Sequence, residues 1–261
     1  MSELIHQPCS DCGSSDALQI NTNSTFCHSC HKYTPTSDDY APVSVPESTT
    51  PKAKPDFSAV ERTLATGNYQ AIMTRGLTTA TAKTYGILEK PDKTYFSYHD
   101  PEDANTPVAA KIGLPDKQFY NVGNWAASGL FGQHLFNGGG KYITLCEGEF
   151  DAAAAYQMQN SKYACVSVRN GAGGALKDCK AAYEYLDSFE AIIICFDADE
   201  PGNKAAKEVA ELFSGKAAIV KHTGGHKDAC DYLVNNDVKG FTAAFWAAEK
   251  FVPDGIINGA S

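Results

Sequence analysis

The chain has 261 residues, of which 43% are hydrophobic and 20% charged, enough to bury the core of one large domain plus a small module. Its net charge of −9 excludes the overall basic balance of a simple nucleic-acid binder, although local basic patches stay compatible with it. The sequence contains no apolar run of membrane length and no signal-peptide pattern, which predicts a cytoplasmic protein without a membrane partner.

Two C-x-x-C pairs open the chain, Cys9 with Cys12 and Cys27 with Cys30, and fourteen residues separate them. Each pair can hold one face of a tetrahedral ion, and thiolates suit Zn²⁺. The alternatives are two disulfides or a redox pair, which the odd total of nine cysteines and the lack of a secretion signal disfavour. The spacing therefore predicts a ribbon over residues 1–33 that holds one structural zinc ion.

Residues 34–55 contain five of the twelve prolines and almost no aliphatic side chains. This composition cannot bury enough apolar surface to fold, so it predicts a flexible tether. The body that follows is predicted to consist of an α+β lobe over residues 56–140 and a more regular lobe over 141–252. Residues 253–261 would begin a linker or a tail.

Strand and helix patterns alternate in the second lobe. The predicted strands are "KYITLC", "YACVSV", "AIIICF" and "AAIVK". The predicted helices are "FDAAAAYQMQ", "ALKDCKAAYEYL", "NKAAKEVAELF", "DACDYLV" and "FTAAFWAAEKF". This alternation indicates an α/β fold with a parallel sheet covered by helices on both faces. Ligands of such sheets gather outside the carboxyl ends of the strands.

Carboxylates stand at the ends of the most apolar strands. Glu147 follows "YITLC", Asp197 and Asp199 follow "AIIICF", and Asp228 follows the last strand, while Asp151 lies one helical turn after Glu147. Like charges crowded at one edge are costly unless a cation neutralises them, and hard oxygen ligands favour Mg²⁺ or Mn²⁺. The pattern predicts a divalent-cation site, although a helix cap or a surface charge stays the alternative for any single carboxylate.

The motifs that carry these residues resemble those of a known fold. "CEGEFDAAAA" resembles the E-G-x-x-D motif, and "FDADEPG" the D-x-D-x-x-G motif, of the TOPRIM fold found in primases and topoisomerases. A four-cysteine ribbon, a tether and a TOPRIM body in this order resemble a DNA primase. With "LFGQHLFNGG" and "RNGAGGALKDC", nearly the whole chain is similar to the primase half of bifunctional phage primase–helicases.

The resemblance implies synthesis of short RNA primers from ribonucleoside triphosphates on a single-stranded DNA template, during phage replication in the bacterial cytoplasm. It implies that Glu147, Asp197, Asp199 and Asp228 are catalytic residues that hold Mg²⁺ or Mn²⁺, with Asp151 supporting them. The cationic side chains assigned to nucleotide and template binding are Arg75, Lys111, Lys117, Lys141 and Lys227. For each of these, a solvated surface charge stays the alternative.

The sequence has no G-x-x-x-x-G-K-[ST] motif, so a replicative helicase is expected as a fused or separate partner, together with a DNA polymerase. Without the helicase part, the chain is expected to be a monomer that binds DNA weakly. Two other functions stay open: a TOPRIM metal-dependent nuclease, and a non-catalytic recombination mediator with zinc and TOPRIM modules. A topoisomerase is disfavoured because the chain is too short for a strand-passage domain.

Overall fold

The computed structural model of the chain describes residues 4–20, 24–30, 32–35, 57–116 and 118–253. The chain divides into two compact units, residues 1–54 and 55–261. Most of the tether predicted over residues 34–55 lies outside the described residues, and the division into five segments stays a prediction. Every helix in the described part of the chain is too short or too polar to cross a lipid bilayer.

The first unit is a small antiparallel sheet. Its strands, in both chain and sheet order, are β1 Leu4–Gln7, β2 Leu18–Ile20, β3 Ser24–Cys27 and β4 Tyr33–Pro35. A tight turn follows β1, where the Cys9 N–H donates to Ser14 O at 2.8 Å and the Gly13 N–H donates to Cys9 O at 3.0 Å. Gly13 has a φ of 73°, a backbone conformation that glycine adopts without strain. The small ribbon fold predicted for the start of the chain is confirmed, while its bounds and its zinc ion stay predictions.

The second unit begins with two helices and an antiparallel sheet. In chain order these elements are α1 Ser58–Leu64, α2 Thr79–Tyr85, β5 Ile87–Lys90, β6 Lys93–Asp100, β7 Asp103–Gly113 and β8 Phe119–Gly123. The sheet order follows the chain order. Thr78 caps α2 by accepting the Thr81 N–H, and Gly86 ends the helix in the left-handed conformation. Short 3₁₀ turns cover Met73–Arg75, Trp125–Ala127 and Gln133–Leu135.

A second sheet of five strands completes this unit. Its strands are β9 Tyr142–Cys146, β10 Ala164–Ser167, β11 Ala191–Cys195, β12 Ala217–Ile219 and β13 Glu249–Lys250. Its helices are α3 Glu149–Met158, α4 Gly171–Ala181, α5 Tyr183–Asp187, α6 Glu200–Leu212, α7 Ala229–Val234 and α8 Val238–Trp246. The strand order is β10-β9-β11-β12-β13, and all pairs are parallel except β12 with β13.

Helices cover both faces of this sheet, as the alternation of strands and helices predicts. Successive side chains of a strand point to opposite faces. Ile143 and Leu145 of β9 pack into one core with α4 and α6, whereas Cys146 of β9 and Cys195 of β11 pack into another with α3 and α7. The hydrophobic strands are therefore buried on both sides, and their polar residues come at the ends.

The second core continues into the antiparallel sheet. Tyr85, Phe96 and Tyr98 belong to the same cluster of buried side chains as α3. The Tyr85 hydroxyl donates to Cys165 O at 2.8 Å, and the Phe131 N–H donates to Ser167 O at 3.0 Å. The two lobes of this unit therefore share one apolar interior.

Two sequence predictions of secondary structure are wrong in detail. The helix predicted over residues 175–186 is two helices, α4 and α5, which meet at Ala182. The helix predicted over residues 241–251 ends at Trp246, and residues Glu249 and Lys250 form the edge strand β13 instead. Pairing with β12 and an ion pair of 2.7 Å between Lys221 and Glu249 outweigh the local helical tendency.

Candidate active site

The acidic side chains follow the carboxyl ends of three neighbouring strands. Glu147 directly follows β9, Asp197 lies two residues after β11, and Asp228 follows β12. Because β9, β11 and β12 are parallel neighbours, these ends meet at one edge of the sheet. The sequence prediction that Glu147, Asp197 and Asp228 approach the same edge is consistent with this placement.

Asp199 and Asp228 also cap helices. Asp199 Oδ1 accepts the Gly202 N–H at 2.8 Å at the start of α6, and Asp228 Oδ1 accepts the Asp231 N–H at 2.7 Å at the start of α7. A Cβ atom on Gly202 would lie 2.3 Å from the Asp197 carbonyl oxygen, so this turn requires glycine. The caps hold the two carboxylates at the helix ends, where each keeps a second oxygen for another ligand.

The carboxylates act on one another electrostatically. Burial, together with the charges of Glu147, Asp228 and Asp199, raises the pKa of Asp197 to about 7. Burial also raises the pKa of Glu147, which the Asp199 charge reinforces. A carboxyl group with a raised pKa among other carboxylates is typical of a functional site that binds a cation.

Asp151 lies beside Asp228. One carboxylate oxygen of each residue and the Cys230 sulfur all lie within 4.8 Å of one another. Asp151 Oδ1 accepts the Cys230 N–H at 3.0 Å, and burial together with the Asp228 charge raises the pKa of Asp151. Asp151 therefore joins α3 to the start of α7 and places its charge next to the acidic edge.

Glu147 is held by the start of α4. Its Oε1 atom accepts the Ala172 N–H at 3.1 Å. Its Oε2 atom is buried and has no hydrogen-bond partner among the described residues. A buried carboxylate oxygen without a partner is costly, and a cation bound at this edge would satisfy it. The donor set, which consists of hard oxygen atoms, fits Mg²⁺ or Mn²⁺.

Glu149 forms a contact that the sequence reasoning missed. It is almost fully buried, and its Oε1 atom accepts from Lys111 Nζ at 2.6 Å and from the Tyr98 hydroxyl at 2.6 Å. Lys111 also donates to Arg169 O at 3.3 Å, and its ammonium lies 4.8 Å from the centroid of the Phe119 ring. Lys111 thus lies next to the acidic edge, but it is already paired with a carboxylate.

Arg169 and Asp178 form a second buried network that the sequence reasoning did not assign. Arg169 donates from Nε and a terminal nitrogen to Asp178 Oδ1 at 3.2 and 3.0 Å, and from its other terminal nitrogen to Trp125 O and Ser128 O. Asp178 is fully buried and also accepts backbone N–H groups of Arg169 and Asn170. The network fixes the loop that precedes Ala172. "RNGAGGALKDC" contains both residues, nine positions apart, but the sequence gives no sign that they pair.

A cleft of about 540 Å³ lies beside Glu149, between the antiparallel sheet and the start of α3. Arg75 is exposed in it, with its guanidinium 4.8 Å from the centroid of the Phe150 ring. Phe119, which is 54% exposed, lines the same cleft. The cleft therefore combines positive charge and accessible aromatic surface next to the acidic edge.

The other predicted cationic residues have different positions. Lys227 is exposed and adjoins the acidic edge, because its carbonyl accepts the Ala198 N–H at 2.8 Å. Lys117 lies outside the described residues. Lys141 directly precedes β9, at the opposite end of that strand from Glu147. The assignment of Lys141 to nucleotide or template binding stays a prediction, and an extended strand separates this lysine from the carboxylates.

The ribbon brings its four cysteines together. The sulfur atoms of Cys9, Cys12, Cys27 and Cys30 all lie within 4.8 Å of one another. The backbone N–H of Cys30 and other donors lower the pKa of the Cys27 thiol to about 6, which favours the thiolate form that binds metals. Four converging thiol groups fit a tetrahedral metal ion.

A parallel sheet with carboxylates at this edge and a separate four-cysteine ribbon define a class, the TOPRIM-fold proteins that carry a metal-ribbon module. The Toprim-like family matches residues 144–233. This stretch begins within β9 and ends within α7, and it contains all the carboxylates of the acidic edge.

Two similar phage proteins show to which family within this class the chain belongs. The DNA helicase/primase of Enterobacteria phage T3 is 33% identical over 263 residues, which cover 99% of this chain and 46% of that protein. The crystal structure of the primase fragment of the bacteriophage T7 primase–helicase protein is 33% identical, with a TM-score of 0.63, and the match covers 94% of this chain and 100% of that one. The chain belongs to the family of phage primase–helicases, of which it matches the primase fragment.

A further solved structure extends the comparison. It contains the lagging-strand DNA polymerase of bacteriophage T7 interacting with primase domains bound to an RNA/DNA hybrid and dTTP, and it matches with 35% identity and a TM-score of 0.63. The match covers 71% of this chain and 95% of that one. The chain spans less than half of the length of the curated phage T3 relative.

Proposed function

We propose that this chain is a DNA primase, which synthesises short RNA primers from ribonucleoside triphosphates on single-stranded DNA. The observation that carries the proposal is the convergence of Glu147, Asp197 and Asp228 at one sheet edge, where burial and mutual repulsion raise the pKa of Asp197 to about 7. A separate four-cysteine ribbon and membership in a family that contains primases support it.

Two kinds of metal ion are part of the proposal. The four thiols of the ribbon would hold one structural Zn²⁺, which would stabilise the fold of this small unit. Glu147, Asp197, Asp199 and Asp228 would hold Mg²⁺ or Mn²⁺, and Asp151 would support Asp228. When bound, these cations lower the pKa of an attacking hydroxyl and stabilise negative charge on the phosphoryl group.

The proposed reaction joins two ribonucleotides. The 3′-hydroxyl oxygen of one attacks the α-phosphorus of the next, the bond to the bridging oxygen breaks, and pyrophosphate leaves with the electron pair. Glu147, with a raised pKa and a buried Oε2 atom, is placed either to hold a cation or to accept the hydroxyl proton. Arg75 and Lys227 are exposed, so they are able to bind phosphate or template charge. Lys117 is proposed for the same role.

For Lys111, we propose a positioning role in addition to the nucleotide or template binding that its charge suggests. Because it is paired with Glu149 and also donates to Arg169 O, it links β7 to α3 and to the loop before α4. That loop leads into α4, whose Ala172 N–H holds Glu147. We propose that Lys111 positions the acidic edge, and that a phosphate reaching the cleft would compete with Glu149 for its ammonium group.

The whole protein is proposed to work with other components of a replication complex. The phage T3 relative is named as a helicase and primase, and a solved T7 complex shows primase domains with a DNA polymerase. We propose that a replicative helicase, fused or separate, and a DNA polymerase are partners of this chain. We propose that, without the helicase, it is a monomer in the bacterial cytoplasm.

Primer synthesis tests the proposal directly. The chain is incubated with labelled ribonucleotides, Mg²⁺ and single-stranded DNA of mixed sequence, and short oligoribonucleotides are the expected product. Asp197→Ala should abolish synthesis while leaving the zinc content unchanged, and Glu211→Ala, which removes an exposed carboxylate from α6, is the matched control. Shortened template would favour the nuclease, and DNA binding without either product would favour the recombination mediator. Retained synthesis by Asp197→Ala would refute the assigned site.

A further inference from the structure

A cluster of aromatic side chains lies at the end of the parallel sheet that is opposite the acidic edge. Tyr142 begins β9, and Tyr163 directly precedes β10. The pairing of Ala164 with Ile143 places these two tyrosines side by side on adjacent parallel strands. Five residues separate Tyr142 from Glu147, so the cluster lies roughly 16 Å from the acidic edge.

Trp246, the last residue of α8, completes the cluster. Its ring centroid lies 5.4 Å from that of Tyr142 and 6.1 Å from that of Tyr163, in edge-to-face geometry. The two tyrosine centroids are 5.4 Å apart. Trp246 is nevertheless 55% exposed, although Phe245 beside it is buried. A large aromatic ring in this position packs on its neighbours and still offers surface to a ligand.

Each tyrosine has a lysine before it. Lys141 Nζ lies 5.5 Å from the centroid of the Tyr142 ring, and Lys162 Nζ lies 5.2 Å from that of Tyr163. Both lysines are exposed, so the same Lys-Tyr pair is repeated on two neighbouring strands. We call Lys141, Tyr142, Lys162, Tyr163 and Trp246 the Lys-Tyr surface. The exposed Glu190 is a carboxylate neighbour of this surface, because its N–H donates to Gly140 O at 3.0 Å.

We propose that the Lys-Tyr surface binds single-stranded nucleic acid, separately from the acidic edge. Aromatic rings interleaved with cations are the combination that binds single strands without sequence preference, because every base has a π-face and every nucleotide carries a phosphate. In this geometry a base stacks on an aromatic ring, and the lysine beside it pairs with a phosphate.

A protein partner fits these observations less well. An aromatic anchor of a protein interface is typically enclosed by a pocket, at the centre of a patch that excludes water. The cavities of about 320, 540 and 730 Å³ in the described part of the chain are all lined by other residues. The two lysines beside the tyrosines favour a polyanion over a neutral peptide. The surface also accounts for Lys141, which lies far from the carboxylates.

Fluorescence anisotropy with labelled oligo(dT) and the full chain tests this proposal. Trp246→Ala should weaken binding about 5- to 150-fold, the range expected for the loss of one stacked base, and Trp246→Phe should restore most of the affinity. Lys141→Glu combined with Lys162→Glu should weaken binding. The slope of the logarithm of the association constant against the logarithm of the salt concentration should become shallower by about 1.4, because each of the two lost phosphate contacts contributes about 0.7. Tyr183→Ala and Lys180→Glu are matched controls on exposed residues elsewhere, and we expect them to bind like the wild type.

A second measurement separates lost contacts from lost folding. The chain has two tryptophans, so Trp125→Phe leaves Trp246 as the single tryptophan, which is excited at wavelengths that tyrosine does not absorb. Saturating oligo(dT) should quench its emission, whereas unchanged emission would overturn the proposal. Wild-type affinity and salt dependence in the double lysine variant would overturn it as well. An acidic peptide that occupies this surface while oligo(dT) stays bound to the chain would overturn it too. None of these results depends on primer synthesis, so the proposed function is tested separately.

Discussion

The buried ion pair between Lys111 and Glu149 is expected to contribute to the stability of the fold. The nitrogen and oxygen lie 2.6 Å apart, and the two side chains are only 15% and 8% exposed. Lys111→Ala would leave Glu149 with the Tyr98 hydroxyl as a donor and without a cation. We therefore expect this substitution to destabilise the fold, and not only to weaken nucleotide binding.

The expected magnitude follows from the burial of the pair. Removing one partner of a buried ion pair costs about 3–5 kcal/mol, and the retained hydrogen bond from Tyr98 offsets about 1 kcal/mol of this. A net loss of about 3 kcal/mol in a unit of this size lowers the melting temperature by roughly 6–12 °C. Lys83→Ala, which removes an exposed lysine from α2, should change the free energy of unfolding by less than about 0.5 kcal/mol.

Thermal unfolding of the variants provides the measurement. Lys111→Met combined with Glu149→Gln should recover much of the lost stability, because no buried charge is left and the glutamine oxygen still accepts from Tyr98. A melting temperature for Lys111→Ala within roughly 2 °C of the wild type would refute the reasoning. In that case the Lys111 ammonium group would be solvated in the folded protein and not paired with Glu149. Its effect on synthesis would then come from nucleotide binding alone.

Three further predictions concern the metal sites and the buried network. Cys27→Ser should lose zinc, measured as the metal-to-protein ratio, and templated initiation with it, whereas full zinc occupancy would contradict the four-thiol site. In the presence of a chelator for Mg²⁺, the melting temperature should fall as the pH rises through about 7, because the folded chain holds a proton on Asp197 that the unfolded chain, with its lower pKa, releases earlier. Stabilisation by this proton is complete below the ordinary aspartate pKa of 3.8. Asp197→Asn should flatten the dependence of the melting temperature on pH. An unchanged slope in that variant would show that the Asp197 proton is not the cause. Arg169→Lys should destabilise the fold by about 2 kcal/mol and slow synthesis at saturating nucleotide, because lysine cannot reproduce the paired contacts to Asp178; an unchanged melting temperature would contradict this.

The sequence allows prediction of the parts of the fold that depend on local patterns. The alternation of apolar strands and helices indicates the parallel sheet, and the chain direction then places Glu147 and Asp197 at one edge. The paired cysteines indicate the ribbon because their spacing is set by one tetrahedral ion. These inferences need only the period of each element and the rule that parallel strands end on the same side.

Features that depend on long-range packing are not predictable in this way. Lys111 and Glu149 are 38 residues apart, and their pairing depends on how β7 packs against α3. The edge strand β13 forms because β12 offers unpaired backbone groups to a segment whose composition favours a helix. Lys141 is close to Glu147 in the chain, but the extended strand between them carries it to the far end of the sheet.

The apolar interior shared by the two sheets of the second unit limits how this molecule can move. Tyr85 joins α2 to Cys165, and Tyr98 joins β6 to Glu149, across the boundary at which a hinge would be expected. Opening the cleft by rotation of one lobe would expose these rings and break both bonds. The frame around the carboxylates is thus assembled before any ligand binds, and a ligand would enter the cleft without rotation of the two lobes.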